Sequence, residues 1–333
     1  MVATSRRLPR RWWAARLAGV LLAIAAGGAQ AGTLRYCDRG SPMSAAEQDQ
    51  ALQVAARVKQ VLDASGEPVA LVSRSGLNLA WLGLRFSHAG LALRDSPRGP
   101  WAVRQLYFDC DAAVPRVFDQ GMAGFVLGTD DRQARHVSVV FLPRAASAPL
   151  AELAGSAPGA LAVLAADYSA NAYAWGTSYQ NCNQWVAELL GLAWGGLPLP
   201  ASPAGPDGAP VLRLLAQAWL RHAGYAPMVF DVFPPLRLAA AAVPWLHEDD
   251  HPAEDRARSL YRVSMPDALE AFVRRRWPEA ARVEVCHAGG RLVVRHGWAP
   301  IGDGCVPAPG DEVSLLDGGA TPALRREEPT HGT

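Results

Sequence analysis

Cys182 and His88 are the residues of this chain whose types and settings suit nucleophilic chemistry. Cys182 lies in Tyr179-Gln180-Asn181-Cys182-Asn183-Gln184-Trp185-Val186-Ala187-Glu188, where a polar loop gives way to a helical pattern. A thiol at a helix start meets unpaired N–H groups and the positive end of the helix dipole, and both favour the thiolate. His88 lies in the extended segment Phe86-Ser87-His88-Ala89-Gly90-Leu91 and offers an imidazole that can take the thiol proton and later give it to a leaving group. The backbone N–H groups of Cys182 and Asn183 are then candidate oxyanion donors. A third polar group commonly fixes the imidazole tautomer. Gln105, in the middle of the next extended segment, and Asp109, at its end beside Cys110, are both candidates, and the sequence leaves the choice open.

Each residue has a plainer reading. Cys182 can be a small buried apolar side chain, and His88 a hydrogen-bonded core residue. Tyr173 and Tyr179 read as packing aromatics. Two other groups compete for the chemistry. His296, in Val293-Val294-Arg295-His296-Gly297-Trp298, is an extended-segment histidine downstream of Cys182. The cluster His247-Glu248-Asp249-Asp250-His251, with Glu254 and Asp255, offers oxygen and nitrogen ligands, yet it lacks the HExxH spacing and reads as a solvated loop. Nothing here requires a metal or another cofactor.

The elements that must position these groups can be read along the chain. Ser44-Ala45-Ala46-Glu47 is a capping box, and Leu52, Val54, Val58, Val61 and Leu62 predict one helix over 45–65, closed by Gly66. Extended patterns follow at Val69–Arg74, Leu84–Arg94, Trp101–Asp109 and His136–Leu142, the second and third forming a hairpin around Ser96-Pro97-Arg98-Gly99-Pro100. Helices are expected at Leu150–Ala166, Asn183–Ala193, Val211–His222 and Pro266–Arg276, with a boundary or loop at 196–210. Glu284-Val285-Cys286 and Arg291–Arg295 form a second hairpin through Ala288-Gly289-Gly290, expected to be peripheral.

Arg6, Arg7, Arg10 and Arg11, an apolar stretch from Leu17 to Gly28, and Ala29-Gln30-Ala31 make residues 1–31 read as a secretory signal. The protein is therefore expected in the periplasm or outside the cell, with no integral membrane span after cleavage. Roughly 300 residues would remain, enough for one large domain over 32–316. Residues 317–333 read as a disordered tail. With a net charge of +1 and no basic stripe, nucleic acid is not an expected partner. All five cysteines follow the signal, and an odd number leaves at least one thiol unpaired. The preferred scheme pairs Cys286 with Cys305 across the second hairpin, contributing about 3 kcal/mol. It pairs Cys37 with Cys110 and leaves Cys182 free.

Phe86-Ser87-His88-Ala89-Gly90-Leu91 resembles the strand histidine of circularly permuted papain-like proteins of the NlpC superfamily, and Tyr179–Trp185 resembles their nucleophile helix, with Tyr173-Ala174-Trp175-Gly176 similar to the segment before it. More closely, the chain is similar over about residues 33–305 to the secreted bacterial domain-of-unknown-function family 2145. The matching pieces are Ser87–Gly90, Tyr179–Asn183, Gln217-Ala218-Trp219-Leu220, Asp249-Asp250-His251-Pro252 and Gly297-Trp298. The resemblance implies an α+β fold with a permuted papain-like core, in which an antiparallel sheet packs on the Cys182 helix and a C-terminal helical and hairpin elaboration follows. It also implies a thiol hydrolase or acyltransferase working through a Cys182 acyl-enzyme with His88 as base. A cell-envelope peptide or lipid-linked substrate suits the expected location. The rival expectation is a secreted binding or envelope-assembly protein that keeps the fold without turnover.

Overall fold

Ser44 starts the first element: its hydroxyl accepts from the Glu47 N–H, while the Glu47 carboxylate accepts from the Ser44 N–H at 2.7 Å. This reciprocal cap satisfies two of the free donors at a helix start. Helix α1, Ala45–Ser65, follows as expected and ends at Gly66, whose left-handed backbone (φ 76°) closes it. The computed structural model describes residues 43–76, 79–129, 134–199, 208–233, 237 and 243–316, all within one compact unit, Gly40–Thr333. The expected signal, Cys37, most of the boundary tract (200–207) and the tail 317–333 lie outside the described residues.

After α1 come strands β1 (Val69–Arg74), β2 (His88–Leu93), β3 (Ala102–Asp109) and β4 (Val114–Gln120), helix α2 (Met122–Leu127) and β5 (Ala134–Phe141). Then come α3 (Arg144–Gly155), α4 (Ala157–Leu161), and the short parallel pair β6 (Asp167–Tyr168) and β7 (Tyr179–Gln180) around the loop before α5 (Cys182–Gly195). Helix α6 (Gly208–His222), β8 (Met228–Asp231), α7 (Ala253–Ala257), β9 (Leu260–Val263) and α8 (Pro266–Arg276) lead to β10 (Ala281–Ala288), β11 (Arg291–His296) and β12 (Glu312–Leu315). Eight of the strands form one antiparallel sheet in the order β12-β11-β10-β5-β1-β2-β3-β4.

Cross-strand partners share a face. The pairs Arg74↔His88, Val72↔Gly90 and Ala92↔Val103 therefore put these residues on one side of the sheet, where α1 and α2 close a core through Val54, Val58, Leu62 and Phe125. Leu91 and its partner Arg104 face the other side, where the Arg104 guanidinium donates to the Ala154 carbonyl of α3 at 2.6 Å. Helix α5 packs beside α3 and α4 there, its Trp185 and Trp194 indoles donating to the carbonyls of Ala160 and Ala146, both at 3.0 Å. Cys182 through Leu192 are all buried, so α5 is a core helix without a solvent face.

Three expectations change. The helix read over 150–166 begins earlier, at Arg144, and breaks at Ser156, whose extended backbone and hydroxyl cap the Gly159 N–H of the next turn. The second hairpin is not peripheral, because β10 pairs with β5 over its whole length and extends the main sheet. The first hairpin is shorter in its pairing than its strands: β2 meets β3 only over Leu91–Leu93 and Ala102–Arg104, so β3 diverges before it reaches His88. No helix among the described residues is long and apolar enough to cross a membrane.

Candidate functional site

The loop before Cys182 is held by its polar side chains. Asn181 caps α5, its Oδ1 accepting from the Gln184 N–H at 2.7 Å. The Gln180 amide donates to the Val163 carbonyl (2.8 Å) and the Glu188 carboxylate (2.6 Å), and accepts from the Ala165 N–H. Gln184 donates to the carbonyls of Tyr173 and Gly176, each at 3.1 Å. Asn183 reaches across to the sheet and donates to the Ser87 carbonyl at 3.2 Å. The Gln-Asn-Cys-Asn-Gln run thus commits its four amides to fixing the turn, and leaves the sulfur for chemistry.

Asn183 docks the helix start one residue before His88, and the sulfur docks one residue after it. The Cys182 thiol lies against the backbone N–H groups of Ala89, Asn183 and Cys182 itself. The Ala89 N–H is available because β3 has already parted from β2 there. His88 projects on the α1/α2 face, with the Tyr107 ring at 5.5 Å and the Phe125 ring at 6.0 Å. Its Nε2 donates to Gln105 Oε1 at 2.6 Å, and Gln105 in turn donates to Gln120 Oε1 at 2.7 Å. Gly90 lies beside Gln105: a Cβ on Gly90 would sit 3.2 Å from Gln105 Cβ and 2.7 Å from Val103 Cγ1, so only glycine lets Gln105 come this close. The thiol and the ring flank the first residues of β2 and share no direct hydrogen bond in this structure.

Burial pushes the Cys182 thiol up to about 11, opposed by the Arg74 guanidinium and the three N–H groups. Burial also pulls His88 down to about 3, with Arg74 acting in the same direction and the Gln105 bond opposing. Both groups are therefore neutral near neutral pH. The His88 shift has a stability consequence. A lowered histidine binds its proton more weakly folded than unfolded, so the stability is whole above the ordinary value of 6.5 and is lost as pH falls toward about 3. Between about pH 7 and about pH 4.5 the wild type should lose roughly 2–3 kcal/mol more than His88→Gln, read by urea unfolding. Parallel losses in the two proteins would rule this out.

Of the two candidate partners for the imidazole, Gln105 holds it. Asp109 lies at the far end of β3, where it pairs with Arg116 at 2.6 Å and accepts from the Asp111 and Ala112 N–H groups. His296 is on β11, separated from β2 by β10, β5 and β1, and its exposed ring meets Glu312 at 3.0 Å. The His247–His251 cluster has a structural task. Asp250 accepts from the Tyr173 N–H (2.8 Å), His251 Nε2 donates to the Asn171 carbonyl (2.8 Å), and the His247 ring stacks on Tyr179 at 4.3 Å. Together they brace the loop that carries Cys182. The metal-like grouping among the described residues is elsewhere, at His136, Cys286 and Cys305, and its two sulfurs are joined in a disulfide. Among the described residues Cys182 is the free cysteine, as expected, and Cys110 is disulfide-bonded, its expected partner Cys37 lying outside them.

Two residues of the site escaped the sequence reading. Arg74 is cross-strand from His88, and Gln120 steadies Gln105 from β4. Only strand register reveals either. No curated protein and no solved structure matches the chain. A family model does match residues 61–273, a span holding His88, Gln105 and Cys182, and the chain belongs to that family, described as an uncharacterized protein conserved in bacteria (DUF2145).

Proposed function

We propose that this protein is a secreted thiol hydrolase or acyltransferase with a permuted papain-like core, in which Cys182 attacks an amide or ester carbonyl. His88 takes the thiol proton at Nδ1, the nitrogen that Gln105 leaves bare, and returns it to the leaving amine or alcohol. The acyl group is then held as a Cys182 thioester, resolved by water or by a second nucleophile. The observation that carries this reading is the pairing of a Gln105-oriented imidazole with a helix-start thiol docked on the very next residue of the same strand. Hydrogen bonds between base and nucleophile are often loose without substrate and tighten in the reacting complex. The Cys286–Cys305 bridge and the bonded Cys110 suit an oxidising compartment, which makes a cell-envelope peptide or a lipid-linked acyl group the fitting substrate class.

The depth of Cys182, only 7 % exposed, and its raised thiol favour a second reading: a binding or assembly protein that keeps the fold without turnover. Labelling with a peptidyl acyloxymethyl ketone separates the two. Labelling of the wild type that disappears in Cys182→Ala, and that falls steeply in His88→Ala, is the expected result. Equal, slow labelling of wild type and His88→Ala would leave only the binding reading.

A further inference from the structure

Arg74 is a buried cation without an acid. It is 3 % exposed, and no carboxylate pairs with it among the described residues. Its guanidinium donates to the Gly128 and Ser75 carbonyls and reaches the Tyr107 hydroxyl at 3.5 Å, while its Nε is buried and unpartnered. Its carbon Cζ stands 5.4 Å over the Phe125 ring. The surrounding chain is shaped to the group: a Cβ on Gly128 would lie 2.7 Å from Nη2 and 3.0 Å from Cζ. A charge buried in this way costs several kcal/mol unless an anion offsets it.

Strand register sets Arg74 beside the candidate site. Arg74 is the cross-strand partner of His88, and its carbonyl accepts from the Ser87 N–H at 3.1 Å. Ser87 is the residue on which Asn183 docks, and Ala89 the one whose N–H meets the Cys182 sulfur. Tyr107 and Phe125 touch both the guanidinium and the imidazole. We propose that Arg74 is the fixed positive charge of the site, a positioning residue that sets the charge balance between the His88 ring and the Cys182 sulfur and serves as counter-ion to the sulfur when it is anionic.

The inference rests on the thiol reading above and deepens it. In this arrangement no resting thiolate–imidazolium pair accumulates, because burial holds both groups neutral, and the arginine offsets the charge on the sulfur when it forms. The other ionisable groups packed around the pair are engaged or neutral. Tyr107 on β3 is a phenol, Arg116 on β4 is paired with Asp109, and α2 brings no ionisable side chain. Glu188 on α5 is turned to Arg213 and Gln217, and His136 on β5 to Glu284. Arg74 is thus the charge that both reacting groups feel: it adds to the effect of burial at His88 and opposes it at Cys182.

The test is the pH profile of Cys182 alkylation by iodoacetamide in wild type, Arg74→Met and Arg74→Lys, with Cys182→Ala as background. The thiol midpoint is expected to rise by about one pH unit or more in Arg74→Met and to return most of the way in Arg74→Lys. Superimposable profiles in wild type and Arg74→Met would overturn the proposal. A second measurement needs no arginine variant: the His88 ring followed by NMR in the wild type and in Cys182→Ala. The ring should stay neutral to below about pH 5 in both proteins, and a titration between about pH 6 and 7 in either would overturn the proposal. Alkylation and ring titration need no turnover, so they judge Arg74 even if the acyl-probe experiment fails, and a failed arginine test leaves the acyl-probe result standing.

Discussion

Glu188→Ala is expected to lower the unfolding free energy by about 3–5 kcal/mol, the range for breaking one half of a buried ion pair. Both side chains are about 1 % exposed, and Glu188 Oε2 meets Arg213 Nε at 2.8 Å. Burial pushes the Glu188 carboxyl up, and Arg213, Gln217 and Gln180 oppose that. With the carboxylate gone, the Arg213 guanidinium would stay buried with only the carbonyls of Gly176, Thr177 and Tyr179 as partners. Those carbonyls belong to the loop that delivers Cys182, so loss of the acid should loosen the thiol's seat as well as the core. Urea unfolding gives the first effect and an increased iodoacetamide rate at Cys182 gives the second. Glu188→Leu combined with Arg213→Leu should recover part of the stability and none of the loop order, because apolar replacement relieves the stranded charge and supplies no donors. A change below about 1 kcal/mol in Glu188→Ala would contradict the account.

His88→Ala should lower the rate of Cys182 acylation by roughly 10²–10⁴, the usual worth of a positioned base. The neutral thiol makes this dependence strong, since the groups that meet the sulfur in this structure are backbone N–H donors, which cannot accept its proton. Gln105→Leu should cost less, about 10-fold or more, by releasing the ring from the tautomer with a bare Nδ1. The ordering matters more than the absolute values. Single-turnover acylation with an activated ester measures all three proteins, and a Gln105→Leu effect larger than that of His88→Ala would show that the amide has a role other than orienting the ring.

Local signals made part of this architecture legible. The Ser44–Glu47 cap, the period of Val54, Val58 and Leu62, and Gly66 mark α1 at both ends because each device acts within a few residues. The start of α5 was equally plain, since Asn181 caps it within one turn. Pairing across distance was not legible. Arg74 has no local reason to be catalytic; it meets His88 only through strand register. The choice of Gln105 over Asp109 also turns on a long-range contact, the close approach of Gly90 to Gln105, which opens the room for its amide. Strand β4, with Pro115, Arg116 and Asp119, and the short α2 lack the apolar period that marks an element; β4 forms by pairing with β3, and α2 by packing into the core that α1 closes. The acidic run at 248–250 resembled a solvated loop, yet Asp250 is tied to the Tyr173 backbone.

The pairing of β10 with β5 bears on where this protein can be cut. The family match ends at residue 273, ahead of β10, whereas eight residues of β5 use β10 as their partner on that side. A fragment trimmed to the matched span would present Arg135, Val137, Val139 and their neighbours as a bare, valine-rich sheet margin. Such a margin recruits other chains edge to edge. In this molecule the C-terminal hairpin, fastened by Cys286–Cys305 and by Glu284 to His136 and Arg282, occupies that margin and keeps β5 from pairing with another chain.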